Sequence, residues 1–181
     1  LLAAIPEANV GGPGTTSPAN PRAGEFLHRF LEHCVQGENA VTGERGTRLD
    51  FVSFHTKGGG YRRDAAAAKQ TPTIATLTRH VAAGLAITGS FPELAGREVI
   101  LTECDPDGMA AFGKHDNTNL TFRNTEYYAS YIANAVCKLI DLGAAGPVRV
   151  DGMLTWAFQF EDREYFEGLR TLSTNGIDKP A

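Results

Sequence analysis

Two rhythms of apolar residues alternate along the chain. Residues 22–35 place Phe26, Leu27, Phe30, Leu31 and Cys34 at three- and four-residue spacing, which predicts a helix with one buried stripe. The same spacing recurs over 72–88, at Ile74, Leu77, Val81 and Leu85, with Pro72 near the first turn. It is clearest over 124–142, where Tyr128, Tyr131, Ile132, Ala135, Val136, Leu139 and Ile140 share a face and Gly143 reads as the stop. Between these lie short, strand-like apolar runs: 8–14, which passes into a glycine-rich loop, 49–55, the run beginning at 99–101, and 153–158. Residues 38–48 and 110–123 are polar and lack periodicity, which reads as loop.

Strand, helix, strand, helix, strand, helix, strand is the order of parallel strands joined by helical crossovers. The pattern therefore predicts an α/β fold, either half of a barrel or a small doubly wound sheet. No dinucleotide-binding fingerprint is present, and the glycines at 11, 12 and 14 lack both the P-loop Lys-Ser/Thr and the GxGxxG spacing. Close approach of backbone to a neighbouring strand or a ligand is the expected use of these glycines. The opening six residues read as the last turns of a helix whose start lies upstream, so the chain is expected to be part of a longer protein.

Composition narrows the function classes. The chain has 181 residues, 42% of them hydrophobic, and 17 basic against 21 acidic residues give a net charge of −4. That small, mixed charge offers no nucleic-acid surface, and no apolar run reaches the length of a membrane span. Three cysteines, Cys34, Cys104 and Cys137, lie too far apart for a structural zinc site or a disulfide framework.

The chemistry gathers where the strands end. Residues 99–101 are uniformly apolar, as in a strand buried on both faces, and Glu103, Asp105 and Asp107 follow, closed by Pro106 and Gly108. His55 and Lys57 close the strand at 49–55, and Trp156 followed by Glu161 and Asp162 closes the one at 153–158. Parallel strands bring these ends to one face, which in barrels is the catalytic face. A carboxylate, a histidine, a lysine and an indole around one pocket suit a sugar, whose apolar faces stack on aromatic rings and whose hydroxyls need donors and acceptors. Glycoside hydrolysis uses paired carboxyl groups, and Glu103 is the natural nucleophile. Each residue also has a structural reading: Glu103 as a satisfied buried carboxylate, His55 and Trp156 as core, Lys57 as a loop cation, Asp105 and Asp107 as caps or turn formers, and the tyrosines of 124–142 as packing.

The stretches VGGP (10–13), DFVSFHTKG (50–58), ILTECDPDG (100–108), LTWAFQFED (154–162) and the ending from Tyr165 to Pro180 resemble, in order, the second half of a glycoside hydrolase family 39 enzyme. That family holds β-xylosidases and α-L-iduronidases on a TIM barrel. The resemblance is nearest to bacterial β-xylosidases, through WAF-x-FED and the Gly-Ile-x-x-Pro ending. It implies a partial TIM (β/α)8 barrel, strands five to eight with their helices, with residues 1–181 forming the C-terminal half of the catalytic barrel.

The resemblance also implies roles. Glu103 matches the nucleophile and His55 a sugar-contacting histidine. Trp156 lines the pocket, and Glu161 or Asp162 holds sugar hydroxyls. Lys57 falls where iduronidases place a lysine that meets the substrate carboxylate, and Arg170 matches an iduronidase pocket arginine. The family's Asn-Glu-Pro acid/base motif does not occur in the chain, which places the general acid upstream of Leu1. The expected activity is retaining hydrolysis of β-xylosides, with a uronide-cleaving hydrolase or a non-catalytic carbohydrate-binding relative as the alternatives. The chemistry calls for no metal or organic cofactor. The expected partners are a xylo-oligosaccharide or other small glycoside and the missing N-terminal half of the barrel, with neither nucleic acid nor membrane.

Overall fold

A computed structural model of the protein describes residues 4–59, 72–109 and 112–156, and the backbone of 173–174 and 177–178. Four parallel strands form one sheet in sequence order: β1 (Gly11–Thr15), β2 (Phe51–Lys57), β3 (Glu98–Asp105) and β4 (Gly152–Met153). Three helices make the crossovers, α1 (Pro21–Gln36), α2 (Ile74–Gly89) and α3 (Glu126–Ala145). Two further two-residue strands, β5 (Ser173–Thr174) and β6 (Ile177–Asp178), pair antiparallel with each other.

The helices start where the sequence supplies caps. Asn20 accepts from the Arg22 N–H, Thr73 from Thr76 and Thr125 from Tyr127, each satisfying a donor that the first turn leaves open. Their apolar stripes meet one face of the sheet. Leu27 and Leu31 of α1, Leu77 and Val81 of α2, and Tyr131, Ala135 and Leu139 of α3 pack into a single core with Val52, Phe54, Val99, Leu101 and Cys104 of the strands. A sheet with these crossover helices sharing one face is an arc of a barrel wall; a doubly wound sheet distributes its helices over both faces.

Several expectations need correction. Of the helix end expected over the first six residues, 1–3 lie outside the described residues, and 4–6 are non-helical. Helix α3 does not stop at Gly143 but continues to Ala145. The glycine is there for contact: a Cβ on Gly143 would lie 2.9 Å from Cβ of Arg149, in the segment that returns toward β4. The loop over 110–123 contains a 3-10 helix, Thr118–Asn124. Of the strand expected over 153–158, residues 157–158 lie outside the described residues; the regular part described is Gly152–Met153, and Leu154 continues the pairing by donating to Leu101 O and accepting from the Cys104 N–H. The glycines of β1 serve as expected. A Cβ on Gly11 would sit 2.4 Å from the Phe51 carbonyl oxygen, closer than any side chain allows.

The ladder slips at one level on both sides of β2. Pro13 pairs with Ser53 and Thr15 with Phe54, which leaves Gly14 as an extra residue at φ 63°, a conformation glycine adopts at little cost. On the other side Phe54 pairs with Leu101 and His55 with Glu103, which leaves Thr102 extra. The second slip has a direct consequence. Side chains alternate across a strand, so Val99 and Leu101 point into the helix-covered core. Without a bulge Glu103 would point there too. The extra residue reverses the alternation, and Cys104 takes the core position while Glu103 turns to the face that carries His55.

Candidate active site

The open face at the C-terminal ends of β2 and β3 holds a compact charged cluster. Register places His55 beside Glu103 and Lys57 beside Asp105. The Lys57 ammonium donates to Glu103 Oε2 at 2.5 Å and to Asp105 Oδ2. His55 Nδ1 stands 3.9 Å from Glu103 Oε1, beyond direct hydrogen-bond reach. The three groups differ in access. The Glu103 side chain is 27% exposed, that of Lys57 14%, and that of Asp105 not at all. Of these two carboxylates, Glu103 is the one with exposed surface.

Asp105 is tied from the other side. Its Oδ1 accepts from the Thr155 hydroxyl at 2.7 Å and from the Trp156 N–H at 3.0 Å. Thr155 in turn lies 3.3 Å from the Tyr128 hydroxyl of α3. Trp156, half-buried, is thus held after β4, its backbone tied to Asp105 of the cluster. Glu161, Asp162 and Arg170 lie outside the described residues.

Strand β3 runs through Glu103 and Cys104 to Asp105 and stops before Pro106. A strand tolerates two carboxylates at its end when a cation neutralises them, and Lys57 does so from the adjacent strand. Asp107 begins the loop that follows. It is fully buried and paired with the equally buried Arg123, whose Nε donates to Asp107 Oδ2 at 3.1 Å. Arg123 also donates to the carbonyls of Phe112 and Met109, at 2.8 and 2.9 Å. One guanidinium thereby holds together the loop that leaves β3. Asp107 further accepts from the Met109 N–H at 2.8 Å, so the turn-forming role was legible and the ion pair was not.

The tyrosines of α3 do pack, and they also reach the loops around the site. Tyr131 is buried with its hydroxyl 3.4 Å from Thr73 O, and Tyr127 donates to Pro72 O at 2.7 Å. Backbone bonds tie the loop after β2 to the loop after β3: the Gly58 N–H donates to Asp105 O and the Gly108 N–H to Gly59 O. Burial pushes the Cys104 thiol up from 9.0 to about 11, so this neighbour of Glu103 stays neutral and serves as core. Among the described residues no cluster of histidine, cysteine and acids has the makings of a metal site. No helix among them is long and apolar enough to cross a membrane.

The chain is similar to α-L-iduronidases. Canine α-L-iduronidase is 37% identical over 106 residues, which cover 59% of this chain and 14% of that protein. The human enzyme is 34% identical over a stretch of the same length, 59% of this chain and 14% of its own. Over this stretch the chain is homologous to α-L-iduronidase. The matched stretch spans only about one-seventh of these relatives. No protein-family model matches. A crystal structure of the bacterial orthologue of human α-L-iduronidase superposes with a TM-score of 0.69, at 24% identity, over 96% of this chain and 26% of that one. That likeness establishes the fold: the α/β arrangement of parallel strands and crossover helices is that of part of an iduronidase barrel.

Proposed function

We propose that this chain forms part of the catalytic barrel of a retaining glycosidase that cleaves uronides, with Glu103 as nucleophile. The observation that carries the reading is Glu103 itself: an accessible carboxylate at the end of a central strand, between His55 and the Lys57 ammonium. The iduronidase relatives favour a uronide over the xyloside expected from the 154–162 stretch.

In this mechanism a Glu103 oxygen attacks the anomeric carbon and the leaving-group oxygen takes a proton from a second carboxyl. Water, entering from the face the leaving group has left and opposite Glu103, then displaces Glu103 from the glycosyl ester, and the two inversions leave the configuration retained. The second carboxyl must stand about 5–5.5 Å from the first. Asp105 does not suit that role, because it is fully buried and engaged by Lys57, Thr155 and Trp156. The proton donor would come from outside residues 1–181, in an upstream half of the barrel. His55 and Trp156 bind the sugar, the indole offering a stacking face. Lys57 meets the substrate carboxylate. An ammonium has three donors, of which two serve Glu103 and Asp105, and the third remains for a substrate oxygen.

The test is the full-length protein on an aryl uronide, with product configuration followed by proton NMR. Retention is expected. Glu103→Ala should lower turnover by several orders of magnitude, and added azide should restore part of it as the inverted glycosyl azide. A variant keeping more than about a tenth of the wild-type rate would remove Glu103 from the mechanism. Binding of the uronide without turnover by the wild type would favour the non-catalytic carbohydrate-binding alternative.

A further inference from the structure

Asp105 has no part in the bond-making steps above, yet it is held from several sides. It is fully buried, and both of its oxygens are engaged by groups from different parts of the chain. Oδ2 takes the Lys57 ammonium from β2, while Oδ1 takes the Thr155 hydroxyl and the Trp156 N–H from the segment after β4. Through Thr155 the chain of contacts reaches the Tyr128 hydroxyl on α3. A carboxylate on β3 thus joins the strand that carries His55 and Lys57 to the segment that carries Trp156.

A lysine ammonium is a point charge on a flexible four-carbon stem and does not fix its own direction. Between two carboxylates it is held; beside one it has a range of positions. A buried carboxylate, for its part, is tolerated only while its partners stay in place. We infer that Asp105 is a positioning residue, which holds the Lys57 ammonium against Glu103 with one oxygen and fixes the Trp156 backbone with the other. The inference rests on the reading of Glu103 as nucleophile and Lys57 as the carboxylate-reading group. It adds the residue that makes their geometry a single one.

The experiment is a double-mutant cycle between Asp105→Asn and Lys57→Met in the full-length protein, read on an aryl uronide and on the matched neutral glycoside. Asparagine preserves the shape and an acceptor for Thr155 and Trp156 but removes the charge facing Lys57. Each single variant is expected to lose about ten- to a hundredfold in kcat/KM on the uronide and less on the neutral glycoside, as befits a charge-assisted contact. The double variant should be no worse than the weaker single, because both remove one device. Losses that multiply would overturn the inference.

A second readout needs no catalysis. In protein labelled with 15N-lysine, the Lys57 ammonium should give a slowly exchanging signal that disappears in Asp105→Asn, and persistence of that signal would also overturn the inference. If the asparagine variant fails to fold, Thr155→Val carries the same test with every charge in place. A severalfold loss on the uronide that vanishes in the Lys57→Met background supports positioning, and an undiminished loss contradicts it. Absence of turnover by the wild type on either glycoside would remove the glycosidase reading alone, with the ammonium signal still deciding the role of Asp105.

Discussion

A lysine between two carboxylates is the smallest unit from which the chemistry follows, and it makes a specific demand on the substrate. If Lys57 reads a carboxylate, Lys57→Met should cost about 1.5–3 kcal/mol in kcat/KM on a uronide and distinctly less on a neutral glycoside. Equal losses on the two substrates would leave Lys57 as a partner of Glu103 and Asp105 and nothing more. The other buried pair predicts stability. Arg123→Leu removes the guanidinium paired with the fully buried Asp107 carboxylate and should cost about 3–5 kcal/mol, measured by urea unfolding. Arg123→Leu combined with Asp107→Leu should recover much of that loss, since no lone buried charge remains. His55, Lys57 and Glu103 were legible from sequence because each closes an apolar run and parallel strands bring such ends together. Asp105 was not, since its role depends on Thr155, fifty residues along the chain. Arg123 sits in a polar stretch without periodicity, and nothing local marks it as the most deeply buried cation among the described residues.

At the scale of elements, the four main strands and three crossover helices follow from the apolar spacing, and the helix starts follow from their caps. The bulge at Thr102 does not. Val99, Ile100 and Leu101 are all apolar, so the run carries no alternation from which a phase change could be read. Only the pairing with β2 reveals it. Deletion of Thr102 tests this register. The shortened strand would pair with β2 without a slip, Glu103 following Leu101 directly and still opposite His55, while Cys104 keeps its place in the core. The expected outcome is a folded variant that retains turnover, with a Tm near that of the wild type. Loss of the fold together with turnover would show that Thr102 is not a spare residue in the ladder.

The whole molecule couples this site to a core with an alkaline weakness. Burial raises the Cys104 thiol to about 11 and pushes the Tyr131 phenol up as well. Between pH 9 and about 11 the folded chain keeps the Cys104 proton that the unfolded chain has lost, so stability falls as pH rises. The slope from this group is about 1.4 kcal/mol per pH unit, and Cys104→Ala should flatten it in thermal melts at pH 8, 9 and 10. The sheet also ends in β1 on one side and β4 on the other, so residues 1–181 expressed alone are expected to self-associate by strand pairing, measured as mass in solution. In the full-length protein those edges would meet the rest of a barrel, and Glu103 would face its proton donor. The most direct test of that arrangement is covalent trapping. A fluorinated uronosyl fluoride, which glycosylates the enzyme faster than the intermediate hydrolyses, should inactivate the full-length protein, and peptide mass spectrometry should find one uronosyl group on Glu103. An adduct on a different carboxylate, or turnover of the reagent with inverted product and no adduct, would contradict the assignment of Glu103 as nucleophile.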